Sequence, residues 1–231
     1  MKEAGASTER RAEILAAAVR VLAREGIAGA TTRRIAAEAG INQATLLYYV
    51  GSKDELYLAV LREMMRMTRE IALSARPVGL APAEAIRRCV MAFWEHVESA
   101  VELQVLQYEL TLYALRNPAS AWLAKKQYSG YSAVVEDLLR EACKGAGAAC
   151  ALPYDAVARF VVGGLDGLIL RFISDRDTAR ARRDLESLIA AIVALVEGTA
   201  TVQPAVGASM PTGRLGEHRL TEARQKPESA P

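Results

Sequence analysis

The chain has 231 residues, 52% hydrophobic and 24% charged, and its 29 Lys+Arg against 27 Asp+Glu leave a formal net charge of +2. That length admits one medium domain or a small one joined to a larger one, and the near-balanced charge by itself points to no nucleic-acid partner. The longest charge-free apolar stretch near the end, Leu188 to Val196, is far short of the ~18 residues of a membrane span, and MKEAGASTER lacks an export signal's apolar region, so a cytoplasmic protein is expected.

In chain order, residues 1–7 read as a flexible start. Apolar residues then recur at three and four rather than two, through Ile14, Leu15, Ala18, Val19 and Leu22 and on to Leu185, Leu188, Ile192 and Leu195. The spacing predicts helices over 8–25, 32–39, 43–49, 52–75, 82–100, 102–116, 118–143, 153–175 and 177–197. No alternating strand is found, and the fold class is all-α with about nine helices. Pro82, Pro118 and Pro153 each open a periodic run. From about Thr199 the chain is rich in Pro, Gly, Ser and Thr without an aromatic, which predicts a disordered tail over 199–231.

The stretch Thr31 to Leu56, TTRRIAAEAGINQATLLYYVGSKDEL, packs two short helices between tight punctuation. Thr31 is placed to cap the first, Gly40 supplies the turn, and Asn42 is placed to cap the second. Ser52, with Glu55 three residues on, spells a capping box for the helix that follows. A short second helix with Gln43, Ala44 and Thr45 in its first turn and Tyr48 one turn on is the pattern of a helix-turn-helix whose N-terminal residues meet base edges. Glutamine pairs bidentately with adenine, and Thr45 offers a methyl to thymine or a hydroxyl to phosphate. Thr32, Arg33 and Arg34 on the preceding helix can reach guanine or the backbone, and Lys53 at a helix N-terminus suits a phosphate. On pattern alone a generic helical hairpin with Tyr48 and Tyr49 in its core remains the alternative.

The residues from about Thr8 to Leu61, with Arg10, Arg11, Ile14, Leu15, Ala17, Ala18, Gly26, then TTRRIAAEAGI, QATLLYY and SKDELY, resemble the DNA-binding domain of the tetracycline-repressor (TetR) family of bacterial transcription regulators. The resemblance implies a three-helix DNA-binding domain over 8–52 and a larger helical ligand-binding and dimerisation domain over 53–198. The family commonly has tyrosine where this chain has Leu47 and an aromatic where it has Val50. The tyrosine's phosphate contact then passes to Tyr48, Tyr49 and Lys53.

In the second region, ten of the thirteen aromatics lie between Phe93 and Phe172. If the helices stack as in the family, Phe93, Trp94, Tyr108, Tyr113, Tyr128 and Tyr131 line one cavity with Met64, Met67 and Met91, suited to an apolar or aromatic effector. Residue by residue, plain core is the competing reading. Gln104, Gln107, Glu109, Glu95 and His96 read as solvated or as polar contacts. The mid-helix glycines Gly163, Gly164 and Gly167 suggest close helix approach, and a two-fold four-helix interface is expected from Val157, Phe160, Val161, Gly164, Leu168, Leu188, Ile192 and Leu195.

Cys89, Cys143 and Cys150 have no CxxC spacing, and His96 with His218 cannot assemble a usual zinc site, so neither metal nor cofactor is expected. No GxSxG or phosphate loop points to an enzyme. The resulting expectation is a homodimeric regulator, a repressor that binds an inverted-repeat DNA operator and is released by a small molecule. An activator, or a helix-turn-helix protein with no ligand, is the alternative.

Overall fold

The computed structural model describes residues 2–75 and 79–200, where helices α1 Lys2–Gly29, α2 Thr32–Glu38, α3 Gln43–Val50, α4 Lys53–Ser74, α5 Pro82–Ser99, α6 Val101–Arg116, α7 Ala121–Gly145, α8 Tyr154–Asp175 and α9 Thr178–Glu197 follow one another. No strand occurs among the described residues, and no helix there is long and apolar enough to cross a membrane. The expected disordered tail lies, from Thr201 on, outside the described residues. Residues 2–7, expected to be loose, instead extend α1, in keeping with the helix-favouring Lys, Glu and Ala of the segment. The run expected as one helix from 118 opens as a 3₁₀ turn, Pro118–Ser120, before α7 begins.

Two apolar cores hold the helices. The first gathers Ile14, Val21 and Leu22 of α1, Ile35 of α2, Leu46 of α3 and Leu56, Tyr57, Val60, Leu61 and Met64 of α4. It is completed from α6 by Leu106, Leu110 and Ala114, and from α7 by Leu123 and Ala124. The second gathers Trp94 and Val97 of α5, Leu139 and Cys143 of α7, Val157, Val161 and Phe172 of α8, and Leu185, Ile189 and Ile192 of α9. The short helices α2 and α3 are too brief to persist alone, so burial of Ile35, Ala36 and Leu46 in the first core accounts for their order.

α1 breaks at Gly26, where φ is +68° and ψ 173°, a region that side chains other than glycine's rarely adopt. The Glu109 carboxylate of α6 fills the space beside the break and accepts the Ile27 backbone N–H at 2.8 Å. A Cβ added at Gly26 would sit 3.0 Å from both Glu109 carboxylate oxygens. Gly26→Ala should therefore cost about 1–3 kcal/mol, read as a lowered chemical-denaturation midpoint with an unchanged slope.

Candidate functional site

The chain from Thr31 to Glu55 is set by three side-chain caps. Thr31 Oγ1 accepts the Arg34 N–H at 3.2 Å, and Asn42 Oδ1 accepts the Thr45 N–H at 2.8 Å. Ser52 and Glu55 form a reciprocal capping box, with bonds of 3.2 and 2.7 Å. The Ser52 backbone N–H, foremost, holds the Glu55 carboxyl below its ordinary range. Gly40 and Gly51 take positive φ at the two turns. These bonds satisfy backbone donors that short helices leave open, and they fix the angle at which α3 leaves α2.

With Leu46 turned into the core, α3 presents Asn42, Gln43, Ala44 and Tyr48 outward, and Thr45 half-exposed. Tyr48 is 84% exposed and meets the half-buried Tyr49 edge to face at 5.4 Å, so core packing does not hold it. Gln43 Nε2 donates to Thr32 Oγ1 at 2.8 Å, which holds the carboxamide against α2. Leu47, where the family commonly has tyrosine, is also exposed.

The cations of this face differ in commitment. Arg34 pairs with Glu25 of α1, and Arg20 and Arg24 pair with Glu38 of α2, tying those helices together. Arg33 is exposed and makes no ion pair among the described residues. Lys53 Nζ lies 5.4 Å from the centre of the Tyr57 ring and 5.2 Å from that of Tyr113, which themselves pack edge to face. Next to it, Asp54 accepts from the Tyr113 hydroxyl at 2.9 Å and from Ser120 Oγ at 2.6 Å, so the start of α4 is bound to α6 and to the 3₁₀ turn.

A second feature lies in the other half. α4, α5, α6, α7, α8 and α9 line a cavity of about 90 Å³. Its wall is mostly aliphatic, from Ala72 of α4 and Val90 of α5 through Leu138 of α7 to Val162 and Leu165 of α8. Phe93 and Tyr131 supply its aromatic rings, and Thr68, Cys89, Gln107 and Asp166 its further polar atoms.

Of the residues expected around one cavity, the structure brings Phe93 and Tyr131 to this wall and disperses the rest. Met64 and Tyr113 pack in the first core, because they sit on the stretches of α4 and α6 that face α1. Trp94 is fully buried in the second core, with Nε1 donating to Glu98 at 2.9 Å, and Met91 packs against the same core. Met67 is half-buried away from the lining. Tyr108 donates to the Asp166 backbone carbonyl at 2.9 Å, behind the lining, and Tyr128 stands partly exposed with its hydroxyl on the Asp166 side. Burial pushes the Tyr128 hydroxyl up to about 12. The aliphatic wall is not legible in the sequence, because Val and Leu at helical spacing look the same whether they meet a neighbour or a void.

Gln104 and Gln107, read as solvated, are buried. Thr111 Oγ1 lies 3.0 Å from both the Gln107 backbone carbonyl and Gln127 Oε1, and Gln127 Nε2 donates to the same carbonyl at 3.4 Å, which joins α6 to α7.

The expected pairing face also needs correction. Val157, Val161 and Ile192 are buried within the subunit, two of them on the cavity wall, because the apolar stripe chosen on α8 and α9 faces inward. Leu168, Leu188 and Leu195 pack partly against the same core, and Gly164 lets α9 approach, since a Cβ there would meet Leu188 at 2.6 Å. Of the expected set Phe160 is exposed, and it shares the outer face of α8 with Gly163, Gly167 and Leu170, with open space over both glycines.

Residues 14–60 match the family model described as bacterial regulatory proteins, tetR family, and residues 80–195 match the tetracyclin repressor-like C-terminal domain. The chain is 31% identical to the nicotine-responsive transcriptional repressor HdnoR of Paenarthrobacter nicotinovorans, across 79% of this chain and 93% of that protein. It is 30% identical to the transcriptional repressor AcnR of Corynebacterium diphtheriae, across 77% and 88%. Among solved structures it resembles the multidrug binding protein EbrR at 28% identity and a TM-score of 0.57, in complexes with imidazole (81% of this chain, 90% of that one) and with ethidium (78% and 98%).

Asn42→Ala removes the cap of α3 and should lower stability by about 1 kcal/mol, measured by thermal or denaturant unfolding; Asn42→Asp should hold near the parent value.

Proposed function

The chain belongs to the tetR family of bacterial regulatory proteins, a helix-turn-helix transcriptional regulator, and from that premise we propose a dimeric repressor that leaves its operator when a small molecule fills the cavity. The observation that carries this reading is α3 itself: a capped, two-turn helix standing clear of the surface with Gln43, Ala44, Thr45 and Tyr48 outward. In this reading Gln43 and Thr45 read base edges. Thr32, Arg33, Tyr48, Tyr49 and Lys53 hold phosphates, and Arg34 reaches the backbone only by exchanging its Glu25 partner.

Two such helices related by a two-fold enter successive major grooves about 34 Å apart, so the operator is an inverted repeat. The outer face of α8 supports pairing. Gly163 and Gly167 each cost about 1 kcal/mol against alanine inside a helix, and nothing in the same subunit lies within 4 Å of a Cβ placed there. A second copy's helix, crossing closely between Phe160 and Leu170, gives those glycines their use.

In this reading residues 8–52 read DNA and 53–198 sense and pair, with the first core shared between them, since α4, α6 and α7 contribute to it beside α1, α2 and α3. The repressors HdnoR and AcnR support repression as the sense of control, and EbrR, a multidrug binding protein, supports a small-molecule effector. α6 runs from cavity to DNA reader, with Gln107 on the wall, Glu109 on the Ile27 N–H and Tyr113 on Asp54. α4 runs parallel in logic, from Thr68 and Ala72 at the cavity to Lys53. A ligand that displaces either helix changes the separation of the α3 pair, and coupling of about 1–3 kcal/mol is the usual scale.

Three measurements test the reading. Selection of bound sequences from a random DNA pool should return an inverted repeat; enrichment of no symmetric site would overturn it. Against the selected site, Gln43→Ala should cost about 1–3 kcal/mol and relax one base position per half-site, whereas Arg33→Ala should weaken all sequences alike and flatten the salt slope by about one per subunit. Phe160→Glu with Leu170→Glu should shift the sedimentation-equilibrium mass from dimer to monomer.

A further inference from the structure

We propose that the cavity takes an organic cation, with the Asp166 carboxylate as its counter-charge and the Tyr131 and Phe93 rings on the same wall; this rests on the ligand-responsive reading above. Asp166 is the one carboxylate on the wall, and no Lys or Arg joins it there. Its neighbours are neutral: Gln107 Nε2 at a long 3.5 Å, and the Tyr128 hydroxyl. The Tyr108 hydroxyl bonds the backbone carbonyl of the same residue and leaves the carboxylate to the cavity side.

Other part-buried acids of this chain have strong partners: Asp54 accepts from the Tyr113 and Ser120 hydroxyls, and Glu109 from the Ile27 backbone N–H. Glu98, Glu25 and Glu38 each meet one or more arginines, and Glu141 and Glu186 likewise bridge to α4 and α5. The chain does not lack basic residues, so an acid set into an apolar wall without one is a specific placement. Burial raises the Asp166 carboxyl, only partly offset by the Tyr128 hydroxyl, because a charge in such surroundings loses hydration and gains little in return. An entering cation restores that loss. An anion meets repulsion, and a neutral molecule offers only a hydrogen bond. The faces of Phe93 and Tyr131 favour the same charge through their ring quadrupoles, and the aliphatic remainder of the wall suits an apolar body.

Benzyltrimethylammonium, its neutral carbon isostere neopentylbenzene and the anion phenylacetate separate these cases. Binding to the full chain is read by thermal shift and calorimetry, for the parent, Asp166→Asn and Asp166→Glu. The parent should hold the cation at least roughly tenfold more tightly than the isostere, Asp166→Asn should erase that preference while keeping its melting temperature, and Asp166→Glu should retain it. The proposal is overturned if the isostere or phenylacetate binds as tightly as the cation, if the cation fails to bind at millimolar concentration, or if Asp166→Asn keeps the preference. Should Asp166→Asn fold poorly, the ranking of the three probes on the parent and Asp166→Glu still decides. Operator binding with each probe separates this from the release reading. A cation that binds by way of Asp166 without loosening DNA upholds the charge inference and removes the release mechanism. Release by phenylacetate or the isostere alone does the reverse.

Discussion

Glu109 fills the break in α1. Its carboxylate accepts the Ile27 N–H across 82 residues of chain, beside a glycine that alone tolerates the local φ and ψ. Because α6 also buries Leu106, Leu110 and Ala114 in the first core and sets Gln107 against the cavity, this contact ties α1, α2 and α3 to the helix that runs beside the cavity. The tie at the start of α4, through Asp54 to Tyr113 and Ser120, is made to the same neighbourhood. The DNA-reading helices are thus fixed from below by polar bonds to α6 and from within by apolar burial, with no wide cushion of loop between reader and sensor.

Electrostatics divides along the same line. Near the reader, arginines are largely spent on neighbouring acids, Arg34 on Glu25 and Arg20 and Arg24 on Glu38, so the net charge of +2 conceals a surface where Arg33 and Lys53 stand apart. Near the cavity the imbalance is inverted, with one carboxylate set among aliphatic side chains and tyrosine hydroxyls. Exposed ion pairs contribute little to stability each, about 0–1 kcal/mol, so their value here is in helix orientation.

How much of this was legible depends on how local the physics is. The caps at Thr31, Asn42 and Ser52 and the turns at Gly40 and Gly51 were readable because each involves residues three or four apart. They carried the helix-turn-helix and with it the family. The cavity was not readable, since its wall is assembled from six helices and consists mostly of residues that would serve equally as core. Asp166 lies among the mid-helix glycines of α8, and only the packing of α6 and α7 over α8 brings it to the cavity wall. The residues expected to pair divide between the two sides of α8, as periodicity reports that the helix has an apolar side without telling inward Val161 from outward Phe160. Glu109, read as solvated, acquires its partner only when α1 folds onto α6.

Release of DNA by a small molecule requires an energetic link between the cavity and α3, and such a link is reciprocal by thermodynamic necessity. The most direct measurement is the dissociation constant of a cavity-bound compound, determined once on the free protein and once on the protein saturated with its selected operator. The link predicts binding weaker on the DNA complex by about 5- to 150-fold, the range that corresponds to coupling of about 1–3 kcal/mol. Equal constants in the two states would contradict it.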